Sequence, residues 1–127
     1  MGPFDFRDKV VIVTGVNRVG QIGHAVALAF GQAGAKLVVS DIQTVGVATR
    51  AKEFQAAGYP AKAAAGDLTE PDVAEWCVEQ ALQTYGRIDV VVNAAGGLIG
   101  VQAMLDADTS VLDREFDINV KTTYLVS

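Results

Sequence analysis

The chain has 127 residues, of which half are hydrophobic and a fifth are charged, a composition typical of a single globular domain. Fifteen acidic residues against ten basic ones give a net charge of -5, which argues against a nucleic-acid partner and requires any bound anion to be met by local geometry. One cysteine, Cys77, excludes an internal disulfide, and the apolar run at residues 10–13 is too short for a membrane span or a signal peptide, so we expect a cytoplasmic protein with no membrane partner.

The first strand is predicted at residues 9–13, KVVIV, where a β-branched run is typical of a strand buried on both faces. Thr14 and Gly15 end the strand, and a turn that contains glycines follows. From Ile22 onward the apolar residues recur at helical spacing, and Gly34 supplies a left-handed stop. This segment therefore predicts a strand, a turn and a helix.

A second strand and a second helix follow the same order. Residues 36–41, KLVVSD, predict another short buried strand, and residues 43–57 predict a helix that ends before Gly58. The apolar face of this helix is predicted to consist of Val47, Ala48, Ala51 and Phe54.

The third strand is the least clearly marked, because YPAKAAAGDL at residues 59–68 contains mostly Ala and Lys, which are poor strand formers. The helix after it is the best marked. Thr69 is predicted as its N-cap, Pro71 stands in its first turn, Asp72 lies three residues after Thr69, and Gly86 follows its end. Its apolar stripe is predicted to consist of Val73, Trp76, Cys77 and Ala81.

A fourth strand is predicted at residues 88–92, within RIDVVVNAAGG, and a last helix begins near residue 108 or 109. One face of that helix would carry Leu112, Phe116, Val120 and Tyr124. Four strands that alternate with four helices predict an α/β fold, namely a Rossmann-type doubly wound parallel sheet with strand order 3-2-1-4 and helices on both faces. We expect residues 1–127 to form one such domain, with an incomplete sheet.

The residues after each strand are the candidate site, because ligands of open parallel sheets bind at the carboxyl ends of the strands. After strand one, the turn in TGVNRVGQIGHAVA lets the backbone approach a ligand and directs the N–H groups of a helix at it, which suits a pyrophosphate. Its spacing is not that of G-x-G-x-x-G, so a connection that merely needs glycine stays an alternative. The candidate cofactor-binding residues of this turn are Gly15, Asn17, Arg18, Gln21, Ile22 and Gly23.

Strand two ends in Asp41 and Ile42. A carboxylate there would accept hydrogen bonds from the ribose hydroxyls of an adenosine and would repel a 2′-phosphate, although a helix-capping role is an equal alternative. The remaining candidates follow strands three and four, and they are Asp67, Leu68, Asn93, Ala94, Ala95 and Gly96. His24, in the first turn of its helix, is expected to be solvated or next to a phosphate, because it has no partner at metal-ligand spacing, and we predict no metal site. Cys77 is expected to pack in the core, since it lies on the apolar stripe of its helix.

Taken together, these motifs resemble the short-chain dehydrogenases/reductases. Thr14 and Gly15 match the family's first turn, Asp41 matches the acid of its NAD-dependent members, and NAAG at residues 93–96 matches its Asn-Asn-Ala-Gly, with Ala94 in place of the second Asn. The first turn is two residues longer than usual and has Gln21 at the place of the middle glycine, which is more similar to the enoyl-acyl carrier protein reductase branch. The resemblance implies NAD as cofactor, with NADP less favoured, a small alcohol or carbonyl substrate, and a homo-oligomer.

The same resemblance implies a catalytic tetrad of Asn, Ser, Tyr and a Lys four residues after the Tyr. Asn119 matches the first member, whose family role is to brace the Lys through a water molecule. None of the three tyrosines has a lysine four residues later. We therefore expect the chain to be the cofactor-binding N-terminal part of an oxidoreductase, truncated before the Tyr and Lys segment and inactive alone.

Two other hypotheses stay open. The chain could be a self-contained dinucleotide-binding module or regulatory pseudo-enzyme, since its length is ordinary for one domain. It could also be a methyltransferase that binds S-adenosylmethionine through a similar turn and acid, although NAAG and the later DINV weigh against this.

Overall fold

Four parallel strands and three helices make up the described part of the chain, which covers residues 5–95 of a computed structural model. The predicted last helix, with Asn119, lies outside these residues. The elements are β1 (Val10–Thr14), α1 (Ile22–Gln32), β2 (Lys36–Ser40), α2 (Thr44–Ala56), β3 (Ala61–Ala63), α3 (Pro71–Tyr85) and β4 (Val90–Asn93).

The strands lie in the order β3-β2-β1-β4, as predicted. β1 pairs in parallel with β2 on one side and with β4 on the other, so that Val11 stands opposite both Leu37 and Val90. All five residues of β1 are buried, which confirms the strand predicted to be covered on both faces. The third strand is only three residues long, in keeping with its weak sequence signal.

The alternation of side chains along the strands divides the core between the two faces of the sheet. Val11 and Val13 belong to one hydrophobic cluster together with Ala27 of α1 and Phe54 of α2. The other cluster contains Val10, Ile12 and Val38 of the sheet and Ala74, Cys77 and Ala81 of α3. Helices therefore cover both faces, and the prediction of a doubly wound sheet is confirmed.

The predicted start of α3 needs a correction. The residue that precedes the helix as N-cap is Glu70, not Thr69, and no side chain caps the helix. The reason is that the Asp67 carboxylate accepts hydrogen bonds from both the N–H and the hydroxyl of Thr69, at 2.9 and 2.6 Å, which holds Thr69 in the preceding turn.

Two residues predicted on apolar helix faces are exposed. Ala48 of α2 faces solvent, whereas Val47 and Ala51 beside it are buried. Trp76 of α3 is 40% exposed, and Ala74 takes its place in the core. In both helices a small alanine, Ala51 in α2 and Ala74 in α3, fits where the helix lies close to the sheet. Helical spacing alone does not determine which of several neighbouring apolar residues faces the sheet.

Candidate functional site

The loops that leave the four strands touch one another at the carboxyl edge of the sheet. The N–H of Gly15 donates to the carbonyl of Ser40 at 2.8 Å, which joins the loops after β1 and β2. The N–H of Gly66 donates to the carbonyl of Asp41 at 3.0 Å, and the N–H of Ala95 donates to the Thr14 hydroxyl at 3.0 Å. The candidate residues after the four strands therefore lie at one connected edge.

Gly15 and Gly23 form the tightest part of this edge. Gly15 has a φ of +77°, and a Cβ on it would overlap the carbonyl of Ala94 in the loop after β4. A Cβ on Gly23, at the start of α1, would overlap the carbonyl of Gly15. The first turn, the loop after β4 and the beginning of α1 are thus as close as only glycine permits.

The N-terminus of α1 suits an anion. The helix begins at Ile22, its first turn contains no acidic residue, and the side chain of the preceding Gln21 makes no capping hydrogen bond. The first N–H groups of a helix and its dipole favour a negative group such as a phosphate. The geometry fits the pyrophosphate role that the sequence suggests.

The lengthened turn has its own internal support. The N–H of Gln21 donates to the carbonyl of Arg18 at 3.2 Å, and the N–H of Gly20 donates to Nδ1 of His24 at 3.3 Å. The His24 ring stacks on Phe54 of α2, with centroids 5.7 Å apart. The Arg18 side chain is exposed. His24 therefore supports the turn.

Residues 5–95 hold no cluster of three or more His, Cys, Asp or Glu side chains that could bind a metal ion.

Asp41 links the first turn to the beginning of α2. Its Oδ2 accepts a hydrogen bond from the N–H of Asn17 at 3.0 Å, and its Oδ1 accepts one from the N–H of Gln43 at 3.3 Å. The helix itself begins at Thr44 without a side-chain cap. A carboxylate can accept about four hydrogen bonds, so that Asp41 retains acceptor capacity for a ligand.

The other candidates differ in exposure. Ile42 is 59% exposed beside Asp41, and Ile22 is 76% exposed at the start of α1, so that both present apolar surface at this edge. Leu68 is buried in the core on the α3 side. Asn93, which pairs with Thr14, is partly buried at the end of β4. Gly96 lies outside the described residues.

Gly46 and Arg50, both on α2, contact the first turn and were not among the residues predicted from the sequence. A Cβ on Gly46 would overlap the side-chain oxygen of Asn17, so the turn packs directly on the helix backbone. Nη1 of Arg50 donates a hydrogen bond to the carbonyl of Asn17 at 3.2 Å. The available signal was periodicity, because residue 50 lies three positions after Val47 and four before Phe54, on the buried face of α2.

No helix within the described ranges combines the length and apolar character that crossing a membrane requires.

The sequence is similar to those of known oxidoreductases. The sequence profile of the family described as "short chain dehydrogenase" matches residues 9–127. The chain is 35% identical over 124 residues to an uncharacterized oxidoreductase of Mycobacterium tuberculosis, covering 98% of this chain and 46% of that protein. It is 34% identical over 119 residues to L-rhamnose 1-dehydrogenase (NAD(P)(+)) of a Sphingomonas species, covering 93% and 46% respectively.

Solved structures agree with the sequence relatives. A hydroxysteroid dehydrogenase of Escherichia coli superposes with a TM-score of 0.88 at 30% identity, covering 97% of this chain and 51% of that one. A short chain dehydrogenase of Mycobacterium smegmatis superposes with a TM-score of 0.89 at 25% identity, covering 95% and 49%. The chain spans about half the length of the curated relatives that it matches, 46% in the two described above.

Proposed function

The chain belongs to the short chain dehydrogenase family, an oxidoreductase family that uses NAD(P)(H), and from this premise we propose that it is the dinucleotide-binding half of an NAD-dependent enzyme. The whole enzyme would transfer hydride between NAD(H) and a small alcohol or carbonyl compound. The proposal further includes a cytoplasmic location and a homo-oligomer, which cell fractionation and light scattering would test.

The observation that carries the proposal is the junction of the glycine turn with Asp41. The start of α1, where Gly23 packs on Gly15, would hold the pyrophosphate, because its N–H groups face the carboxyl edge without a competing acidic residue. Asp41, bonded to the same turn through the N–H of Asn17, would accept the hydroxyls of the adenosine ribose. One rigid unit would thus hold two parts of the same cofactor.

The preference for NAD over NADP also depends on Asp41. The carboxylate already accepts two backbone N–H groups, so it is fixed in place and cannot turn away from a bulky ligand without breaking them. A 2′-phosphate would bring negative charge against it, and like charges at short distance repel strongly where water is displaced. The repulsion would disfavour NADP.

The remaining candidates would make additional contacts with the cofactor. Ile22 and Ile42 would contribute apolar contacts, Arg18 would meet a phosphate, and the backbone after β3 and β4 would follow the adenosine and its ribose. Asn119, outside the described residues, would be the one tetrad member in this sequence. The bound nicotinamide would supply the hydride chemistry, and the chain would bind and orient it.

Calorimetric titration of the 127-residue chain tests the proposal directly. We expect NAD+ to bind at least about tenfold more tightly than NADP+, which corresponds to about 1.4 kcal/mol. S-adenosylmethionine, titrated in parallel, should not bind. Binding of S-adenosylmethionine without either dinucleotide would replace the proposal by the methyltransferase hypothesis, and tighter binding of NADP+ would overturn the assigned preference.

A further inference from the structure

The side chain of Arg50 lies under the glycine turn rather than on the outer surface of α2. Only 15% of the side chain is exposed. Its Nη1 donates to the carbonyl of Asn17 at 3.2 Å, while Nη2 donates to Oε1 of Glu53 at 2.9 Å. Nε is buried without a hydrogen-bond partner among residues 5–95. A single guanidinium therefore reaches from the middle of α2 to the cofactor turn.

The contacts of Arg50 are expected to contribute little to the free energy of unfolding. Burial of a cation with one N–H left unsatisfied costs folding free energy. The ion pair with Glu53 spans one helical turn and is half exposed on the Glu53 side, a type of pair that contributes little. What distinguishes the position of Arg50 is its contact with the turn.

Asn17 is held from three directions. Its N–H donates to the Asp41 carboxylate at 3.0 Å, its carbonyl accepts from the Arg50 guanidinium at 3.2 Å, and its side chain lies against the backbone of Gly46. The anion stands at the donor side of this residue and the cation at the acceptor side. Hydrogen bonds to charged groups are about twice as strong as those between neutral groups, so the two contacts fix Asn17 and Asp41 relative to each other.

We propose that Arg50 is a positioning residue for the dinucleotide, which acts through Asn17 by holding the first turn in register with Asp41. This inference rests on the proposed function, because it concerns the same cofactor. A cofactor that meets a preformed turn and a fixed carboxylate loses less free energy to ordering when it binds. Without Arg50, Asn17 keeps its contacts with Asp41 and Gly46 but loses its third support, so more of the turn has to be ordered when the cofactor binds.

The test is a double-mutant cycle measured by calorimetric titration with NAD+. Arg50→Met keeps most of the apolar stem and removes the guanidinium, and we expect the dissociation constant to rise about tenfold. Glu53→Gln is the matched control, since it removes the ion pair with Arg50 but leaves the contact to Asn17, and we expect a change of less than about twofold. Arg50→Lys, with one compact donor head, should give an intermediate loss.

The background variant Asp41→Asn separates positioning from general stability. If Arg50 acts through Asn17 and Asp41, then Arg50→Met should weaken binding by less than about threefold once Asp41 has been replaced. Amide hydrogen exchange supplies a readout independent of binding, because the N–H of Asn17 should exchange faster in Arg50→Met and not in Glu53→Gln.

The outcomes distinguish the two claims. If the unsubstituted chain binds no NAD+, the proposed function fails and this inference fails with it. If the unsubstituted chain binds NAD+ but the effects of Arg50→Met and Asp41→Asn are additive, the positioning role alone is overturned. Unchanged affinity in Arg50→Met, or unchanged exchange at Asn17, would overturn it as well.

Discussion

Asp41 and Gly15 each serve both the fold and the proposed cofactor site. Asp41 accepts two backbone N–H groups and keeps further lone pairs at the edge of the sheet. Gly15 joins the loops after β1 and β4 and is itself covered by Gly23. Substitutions at such residues alter stability and binding together, so each needs a control that alters stability alone.

For Asp41, the substitution Asp41→Asn keeps the shape and removes the charge. An amide has one oxygen for two backbone donors, and its NH2 group would face one of them, so we expect the NAD+ dissociation constant to rise about tenfold or more. Loss of the charge also removes the repulsion against a 2′-phosphate, so that the ratio of NAD+ to NADP+ affinity should move toward one. Parallel titrations with the two dinucleotides measure both effects.

Asp89→Asn is the matched control for this change. Asp89 likewise accepts a backbone N–H, that of Val10 at 2.8 Å, and it also pairs with the exposed Arg87, but it stands at the opposite end of β1. A similar loss of unfolding free energy with unchanged dinucleotide affinity is expected. An equal loss of NAD+ affinity in both variants would contradict a ligand role for Asp41.

For the turn, Gly15→Ala and Gly20→Ala form a second matched pair. Both glycines have positive φ, +77° and +82°, but a Cβ at Gly20 would meet no described atom within 4 Å. Gly20→Ala should therefore cost only the left-handed strain, about 1 to 2 kcal/mol of unfolding free energy in urea titrations. Gly15→Ala adds a clash with Ala94, so we expect it to be more destabilising and to reduce NAD+ binding. Equal losses of unfolding free energy in the two variants would contradict this.

Residues such as Asp41 could be selected from the sequence because a strand end fixes their place in the sheet. Arg50 and Gly46 could not, since each functions by contact with a loop residue about thirty positions away. Helical periodicity is consistent with a position of residue 50 beside the buried face of α2, but it does not indicate which loop that face contacts. Side-chain contacts of a turn depend on its path, and the longer turn here departs from the usual glycine spacing.

At the scale of elements, α3 shows what local signals can and cannot determine. Pro71 and Gly86 mark its two ends correctly, because proline and glycine act through backbone geometry. The prediction of Thr69 as N-cap was wrong because a nearby carboxylate, that of Asp67, accepts a hydrogen bond from the Thr69 hydroxyl. Capping depends on which acceptor is closest in space, and sequence spacing leaves this undecided.

α3 also carries two side chains whose acid dissociation is coupled to folding. Burial raises the pKa of the Cys77 thiol, with a smaller opposing effect from the Ser40 hydroxyl. Burial likewise raises the pKa of Tyr85, whose hydroxyl donates to the carbonyl of Leu37 at 3.3 Å. Both groups are thus held neutral against β2 by the packing of this helix.

Because both pKa values are raised, we expect the free energy of unfolding to fall at alkaline pH. Each group contributes stability that is complete below its unfolded pKa, about 8.5 for Cys and 10 for Tyr, and that is lost as the pH rises through the folded value. Urea titrations at pH 7 and at about pH 10.5 should show a larger loss of unfolding free energy for the unsubstituted chain than for Cys77→Ala/Tyr85→Phe. Comparing the loss within each protein cancels the constant cost of the substitutions, and equal losses would refute the coupling.

At the scale of the whole molecule, strand order and the two-sided core followed from the alternation of strands and helices. The reason is physical: parallel strands need crossovers, crossovers are right-handed, and continuous apolar strands must be covered on both faces. Val10 and Val11 illustrate this, because neighbours in the chain belong to opposite clusters. Contacts between loops could not be predicted in this way, because loop residues follow no regular alternation.

The last prediction concerns binding and catalysis in the chain as a whole. The 127 residues contain the expected dinucleotide site but no Tyr-x-x-x-Lys, so they lack the proton donor and the lysine that the family resemblance assigns to hydride transfer. We therefore expect the chain of this sequence to bind NAD+ without oxidising alcohols, and to bind NADH without reducing carbonyl compounds. Nicotinamide absorbance, followed with a panel of small alcohols and carbonyls under conditions where calorimetry shows saturation, measures this. Turnover above the rate without protein would mean that another residue moves the proton, and Asn119→Ala would then be the first variant to compare.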